Sequence, residues 1–266
     1  MWTRCRVACR MTAIGLLRNR IALTLIVILP VLFYALIALT TGDAPIAFLL
    51  PSISDQTFVS VSRKQEGLVF MGLAAVGFIS AFLAFHLISR QTEVSRRLLV
   101  CGYRAWELVI ARLVVLVSAV VLVSLFSGAL LRLLFAPQHL TGVIAGFVLV
   151  GIVYGCYGLL AGAIFRRELE GILSIVLLTN IDVGWLQNPI FYTSSERRGI
   201  IHTLPAYFPA QVSMTAAFSD FAHGRAIGAS LLYAAALLTV AIAVFWRRMQ
   251  VARPSVVQAD KAHIDA

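Results

Sequence analysis

Between Gly142 and Ile164 the chain reads GVIAGFVLVGIVYGCYGLLAGAI, 23 residues without a charge. A helix rises about 1.5 Å per residue, so a run of this length crosses the ~30 Å hydrocarbon layer of a bilayer. The same pattern recurs on both sides of it. Residues 21–41 are charge-free with one Pro30, and 68–88 carry only His86 as a titrating group. Residues 113–135 hold Arg132 one turn from their end, 171–191 contain Asp182, and 227–246 end against Arg247 and Arg248. Six runs of 20–23 residues predict an all-α polytopic membrane protein with six transmembrane helices. The alternating ten-residue strands of a membrane barrel do not occur in the sequence.

The composition agrees. Of 266 residues, 60% are hydrophobic and 13% charged, with a mean hydropathy of +0.91. Soluble domains average roughly 45–50% apolar and about 25% charged residues. A water-soluble globule, a disordered chain, a coiled coil and a disulfide-rich secreted scaffold are excluded. The reading is a single transmembrane domain over 1–250 and a short cytoplasmic tail over 251–266. The cysteines Cys5, Cys9, Cys101 and Cys156 form neither CxxC nor a metal-ligand spacing with histidine.

A net charge of +10 would point to nucleic acid in a soluble protein. In a membrane protein, basic residues instead hold the loops on the cytoplasmic side. With both termini inside, 16 of the 22 basic residues fall on inner segments. The expectation is a multi-pass protein of the plasma membrane, both termini cytoplasmic, with no nucleic-acid partner. Residues 21–41 exceed a signal-peptide core of 7–15 residues and about twenty residues precede them, so they read as a retained span.

Three non-spanning segments add detail. A helix over 2–18 gathers Trp2, Cys5, Cys9, Thr12, Ala13 and Leu16 on one face, with Arg4, Arg6, Arg10 and Arg18 around the rest. That pattern predicts a helix lying in the inner interface, arginines toward anionic lipid headgroups; a disordered basic anchor is the alternative. The loop 42–67 reads as polar, with Pro45 and Pro51. The segment 192–226 starts polar and turns aromatic through Tyr207, Phe208, Met214, Phe218 and Phe221, with Pro205 and Pro209. Its apolar part is too short to cross, which predicts an outer re-entrant segment before the last helix.

Catalytic motifs are missing from the sequence. There is no Gly-rich loop ending in Lys-Ser or Lys-Thr, no HExxH and no GxSxG. Glu168 and Glu170 stand at i and i+2, which do not share a helix face, and read as a solvated turn. Asp182 is the conspicuous residue, because a charge near the centre of a span costs about 2.5–3.5 kcal/mol on insertion scales. Thr179, Asn180, Trp185, Gln187 and Asn188 surround it. Two readings stand. Asn180, Asp182, Trp185, Gln187 and Asn188 contact a substrate or cation along a pathway, or the fifth helix breaks there and polar side chains satisfy the freed backbone.

The loop between the second and third spans contains Glu93-Val94-Ser95-Arg96-Arg97-Leu98-Leu99-Val100 and Arg104-Ala105-Trp106-Glu107-Leu108, two short amphipathic stretches broken at Cys101-Gly102. Leu98, Leu99 and Trp106 supply an apolar face, and the arginines, including Arg112, are expected to face outward. This loop resembles its counterpart in the type-two branch of ATP-binding-cassette (ABC) exporter permeases, where an acid-rich start and Glu-Arg-Leu-Leu-Val are followed by a Pro-containing break, an Arg-Trp-Glu-Leu stretch and a Gly-Lys. The acidic start is reduced to Glu93, Gly102 stands for a proline, and Arg112 for a lysine. The basic N-terminal helix, six spans and Leu204-Pro205-Ala206-Tyr207-Phe208-Pro209 extend the resemblance over nearly the whole chain.

The resemblance implies the permease half of an exporter. Two permease subunits, identical or sister chains, pair above two cytosolic ABC ATPase subunits. Glu93, Arg96, Arg97, Leu98, Leu99, Arg104, Trp106 and Glu107 then couple to the ATPase. This chain binds no cofactor and is not itself an enzyme; ATP and magnesium belong to the partner. The implied cargo is amphipathic: a drug, an antibiotic or a lipid-like molecule. The competing expectations are an ion-coupled secondary transporter using Asp182 or Glu66, and a membrane protein outside transport.

Overall fold

A computed structural model describes residues 2–49, 58–89, 105–165, 167–188, 198–219 and 224–251. Six of its helices are long and apolar enough to cross a membrane. Helix α1 (Trp2–Leu17) ends at an elbow, and α2 (Arg20–Thr40) follows. The elbow residue Asn19 caps α2, its side-chain oxygen accepting from the Ala22 amide at 3.3 Å. Beyond α2, the strands β1 (Pro45–Leu49) and β2 (Phe58–Ser62) pair antiparallel, Pro45 opposite Ser62 and Leu49 opposite Phe58. This ribbon is not legible in the segment 42–67, and it adds a small β element to the all-α chain. Helix α3 (Arg63–Ser89) follows directly.

Next come α4 (Ala105–Leu134), α5 (Leu140–Ile164) and α6 (Glu168–Ile181). One π-helical turn (Asp182–Leu186) ends α6. Two short helices, α7 (Arg198–Ile201) and α8 (Tyr207–Phe218), precede α9 (Gly224–Val251). Helices α3 and α5 form the buried centre, flanked by α4 and α6, while α2 and α9 lie outermost and bury few residues.

Glycine sets the spacing of the central pair. A Cβ on Gly158 would stand 2.1 Å from the carbonyl oxygen of Ala81, so α3 and α5 touch backbone to backbone. Gly146 gives α8 the same access: a Cβ there would lie 2.8 Å from the Ser213 amide nitrogen. Phe70, Leu73, Phe85, Phe147 and Tyr154 fill the space around these contacts, all 1% exposed or less.

Three expected boundaries move. The third span begins at Ala105 rather than 113, because the stretch from Trp106 to Arg112 continues the helix instead of forming a separate one. Arg112 therefore does not face outward; it is 8% exposed in the wall between α4 and α9. The fifth helix stops at Ile181 instead of 191, and the last runs on past Arg248 to Val251. Helix α1 forms, but Ala8 and Cys9 pack on Leu108 and Ala111 of α4. The face built on Cys5, Cys9, Thr12 and Leu16 thus meets protein, and Val7, Met11, Ile14 and Leu17 form the exposed apolar stripe.

Candidate functional site

The intramembrane carboxylate lies where α6 gives way to the π turn. In that turn the Gln187 amide donates to the Asp182 carbonyl, five residues back, at 3.0 Å. The widened turn carries the Asp182 side chain into the bundle, where it is fully buried. Three donors close on it. Tyr154 Oη donates to Oδ2 at 2.6 Å, the Ala206 amide donates to Oδ2 at 2.9 Å, and Gln187 Nε2 donates to Oδ1 at 2.9 Å. Gln187 Nε2 also reaches the Ile201 carbonyl at 3.4 Å.

Each donor comes from a different place in the fold. Tyr154 stands fourteen residues into α5, about 21 Å from its start at 1.5 Å per residue. Ala206 precedes α8, so its amide is one of the orphan donors at that helix's head. The other end of α8 meets the start of α5: the Gln138 and His139 amides donate to the Ala217 and Ala216 carbonyls at 3.1 and 2.9 Å. Helix α8 therefore runs from the middle of α5 to its beginning, packed against α5, α9 and α3. This is the geometry expected of a re-entrant segment, with α8 buried through Tyr207, Pro209, Ala210 and Met214. Tyr233 of α9 ties the turn before α8 by donating to the Thr203 carbonyl at 3.1 Å.

Of the residues read as a pathway, Asp182 and Gln187 come together. Thr179 is buried on the same side, 4% exposed, its hydroxyl without a hydrogen-bond partner. Asn180 faces outward and donates to the Val176 carbonyl at 2.8 Å. Trp185 is 57% exposed, and Asn188 lies half-buried just beyond the π turn. The arrangement can hold a broken helix and a re-entrant helix in register. It presents no nucleophile-base pair, and no cluster of three metal-ligating side chains occurs among the described residues. Tyr154 escapes sequence reading; its one signal, a hydroxyl in an apolar run, is shared with Tyr157.

At the bundle end that holds α1, Trp106 is 40% exposed and Glu107 is 3% exposed at the start of α4. Glu93, Arg96, Arg97, Leu98, Leu99 and Arg104 lie outside the described residues. Cys9 lies in the α1–α4 contact, and burial, with Cys5 nearby, pushes its thiol above the ordinary range. The acid Glu66 sits in the first turn of α3, 2% exposed. No protein-family model matches the chain, and no curated protein matches its sequence.

Proposed function

We propose that this chain is the transmembrane subunit of an ATP-driven exporter that moves an amphipathic molecule out of the cytoplasm. The observation that carries the reading is the packing of α1 on the first turns of α4, through Ala8 and Cys9 on Leu108 and Ala111. That contact joins the basic N-terminal helix to the start of α4, directly after the segment 93–104 in the chain, and leaves Trp106 accessible to a partner. Helices packed this way move together when a cytosolic subunit pushes on the start of α4. The absence of a phosphate-cradling loop from the sequence fits a division of labour, with ATP and magnesium held by partner ATPase subunits. A second permease, identical or sister, completes the assembly in the plasma membrane, both termini inside. The buried pin at Asp182 supports the same reading, since it lets α6, α8 and α5 tilt as one body.

The experiment is copurification of the tagged chain in mild detergent, followed by ATPase assays. A P-loop ATPase is expected to accompany it, with stimulated hydrolysis falling at least several-fold in Leu98→Glu, Leu99→Glu or Trp106→Glu. Transport by the purified chain alone, driven by an ion gradient, would overturn the proposal.

A further inference from the structure

The α1–α2 elbow carries a polar cluster beside two exposed arginines. Asn19 works in two directions there: Oδ1 accepts from the Ala22 amide, and Nδ2 lies 2.7 Å from Nε2 of His86 on α3. His86 in turn stacks on Phe82, ring centroids 6.1 Å apart. The elbow is thereby fixed to the end of α3, and Arg18 and Arg20 project from either side of the anchored Asn19. Between them opens a crevice of about 480 Å³, with Leu16, Ile21 and Leu87 as its apolar walls. Among the described residues, none of those lining it is acidic. Helix α2 begins at Arg20, so the positive end of its dipole adds to the two guanidinium groups.

From this geometry we infer that the elbow crevice is a binding site for the phosphodiester headgroup of an anionic phospholipid. Two guanidinium groups, with the Asn19–His86 pair behind them, match phosphate oxygens in charge and hydrogen-bonding type. Ile21, 67% exposed, lines the crevice, and Val27, Ile28 and Val31 continue the exposed apolar surface along α2. A headgroup seated between Arg18 and Arg20 has its acyl chains laid on that surface. A free phosphate has no use for it, which is why a lipid is the ligand. The site requires a membrane-embedded chain and is independent of the export reading, so either stands without the other.

The full-length chain, purified in detergent, is mixed with equal amounts of phosphatidylglycerol and phosphatidylcholine of the same acyl chains, and retained lipids are counted by native mass spectrometry. The wild type is expected to retain phosphatidylglycerol preferentially. Arg18→Gln with Arg20→Gln is expected to lower that preference by about tenfold or more, whereas Arg18→Lys with Arg20→Lys keeps most of it. Arg225→Gln, at the start of α9, leaves it unchanged. Equal retention by the wild type and the glutamine variant overturns the site, and displacement by excess glycerol phosphate overturns the lipid as its ligand. Should the glutamine variant not fold, the wild-type preference measured at low and high salt decides. A preference unmoved by salt refutes the charge pairing.

Discussion

Asp182 shows how one polar side chain organises an apolar bundle. It offers acceptors where three elements offer donors: Tyr154 of α5, Gln187 beyond the π turn and Ala206 at the head of α8. Asp182→Asn keeps the shape but turns an amide NH₂ toward at least one of those donors. Leaving a buried donor unsatisfied costs about 1–3 kcal/mol, so the detergent-solubilised variant is expected to unfold at a lower temperature than wild type. Asp182→Ala removes the carboxylate from all three donors, leaving only Gln187 another acceptor, the Ile201 carbonyl, and is expected to be worse. Tyr154→Phe removes one donor only, and its cycle with Asp182→Asn should show a coupling near the roughly 0.6–1.7 kcal/mol found for intramembrane hydrogen bonds. Additive effects in that cycle would refute the pin. Cys9 gives a second residue-scale test. Its thiol is raised first by burial and then by Cys5, so it holds less thiolate near neutral pH than an ordinary cysteine. In a variant with Cys5, Cys101 and Cys156 replaced by serine, the burial contribution remains. Maleimide labelling of the folded chain should then lag the denatured chain near neutral pH, and the gap should close as pH rises.

At the scale of elements, the α3–α5 contact depends on a missing atom. Gly158→Leu forces a side chain onto the Ala81 backbone, so α3 and α5 must part and neighbouring core contacts go with them. A loss of several kcal/mol, or failure to accumulate, is expected, since overpacking alone costs about 1–3 kcal/mol or more. A Cβ on Gly228 of α9 would meet nothing within 4 Å, so Gly228→Ala is expected to be neutral or to stabilise by up to ~1 kcal/mol. Equal effects at the two sites would sink this account of the packing. The same contrast explains what the sequence can tell. Long apolar runs are set by bilayer thickness, so the six spans and the buried segment before the last are legible from local composition. The β ribbon is not, because its pairing joins residues on either side of a proline-bearing loop. Charge alone misplaces Arg112, because α9 supplies the wall that buries it. Asp182 and Gln187 are legible as a polar break; Tyr154 and the Ala206 amide are not, since they are 28 and 24 residues from Asp182 in the chain.

For the molecule as a whole, the fold sorts its basic residues between two ends. At one end lie α1, the elbow, the close of α3, the start of α4, the close of α5 and the start of α6. Gly162 approaches Ile88 there, and Asn19 meets His86. Among the described residues, that end holds Arg6, Arg10, Arg18, Arg20, Arg112, Arg167 and Arg247. The opposite end, with the β ribbon, holds Arg63, Lys64, Arg132 and Arg225. Basic residues close to span ends are retained in the cytoplasm, so the α1 end is expected inside and the ribbon outside. Two positions report this cleanly in a chain whose own cysteines are replaced by serine. Gly42 has open space around it at the ribbon end, and Arg167 is exposed before α6, its contact with Glu170 a loose 3.8 Å pair of small energetic consequence. A membrane-impermeant maleimide applied to intact cells should label Gly42→Cys and spare Arg167→Cys until the membrane is opened. The reverse pattern would place Trp106 and the start of α4 outside, beyond reach of any cytosolic ATPase, and the export proposal would fall with the orientation. Labelling of both positions from outside would be worse still, because an even number of membrane crossings would then separate two points that the fold joins through three spans, α3, α4 and α5.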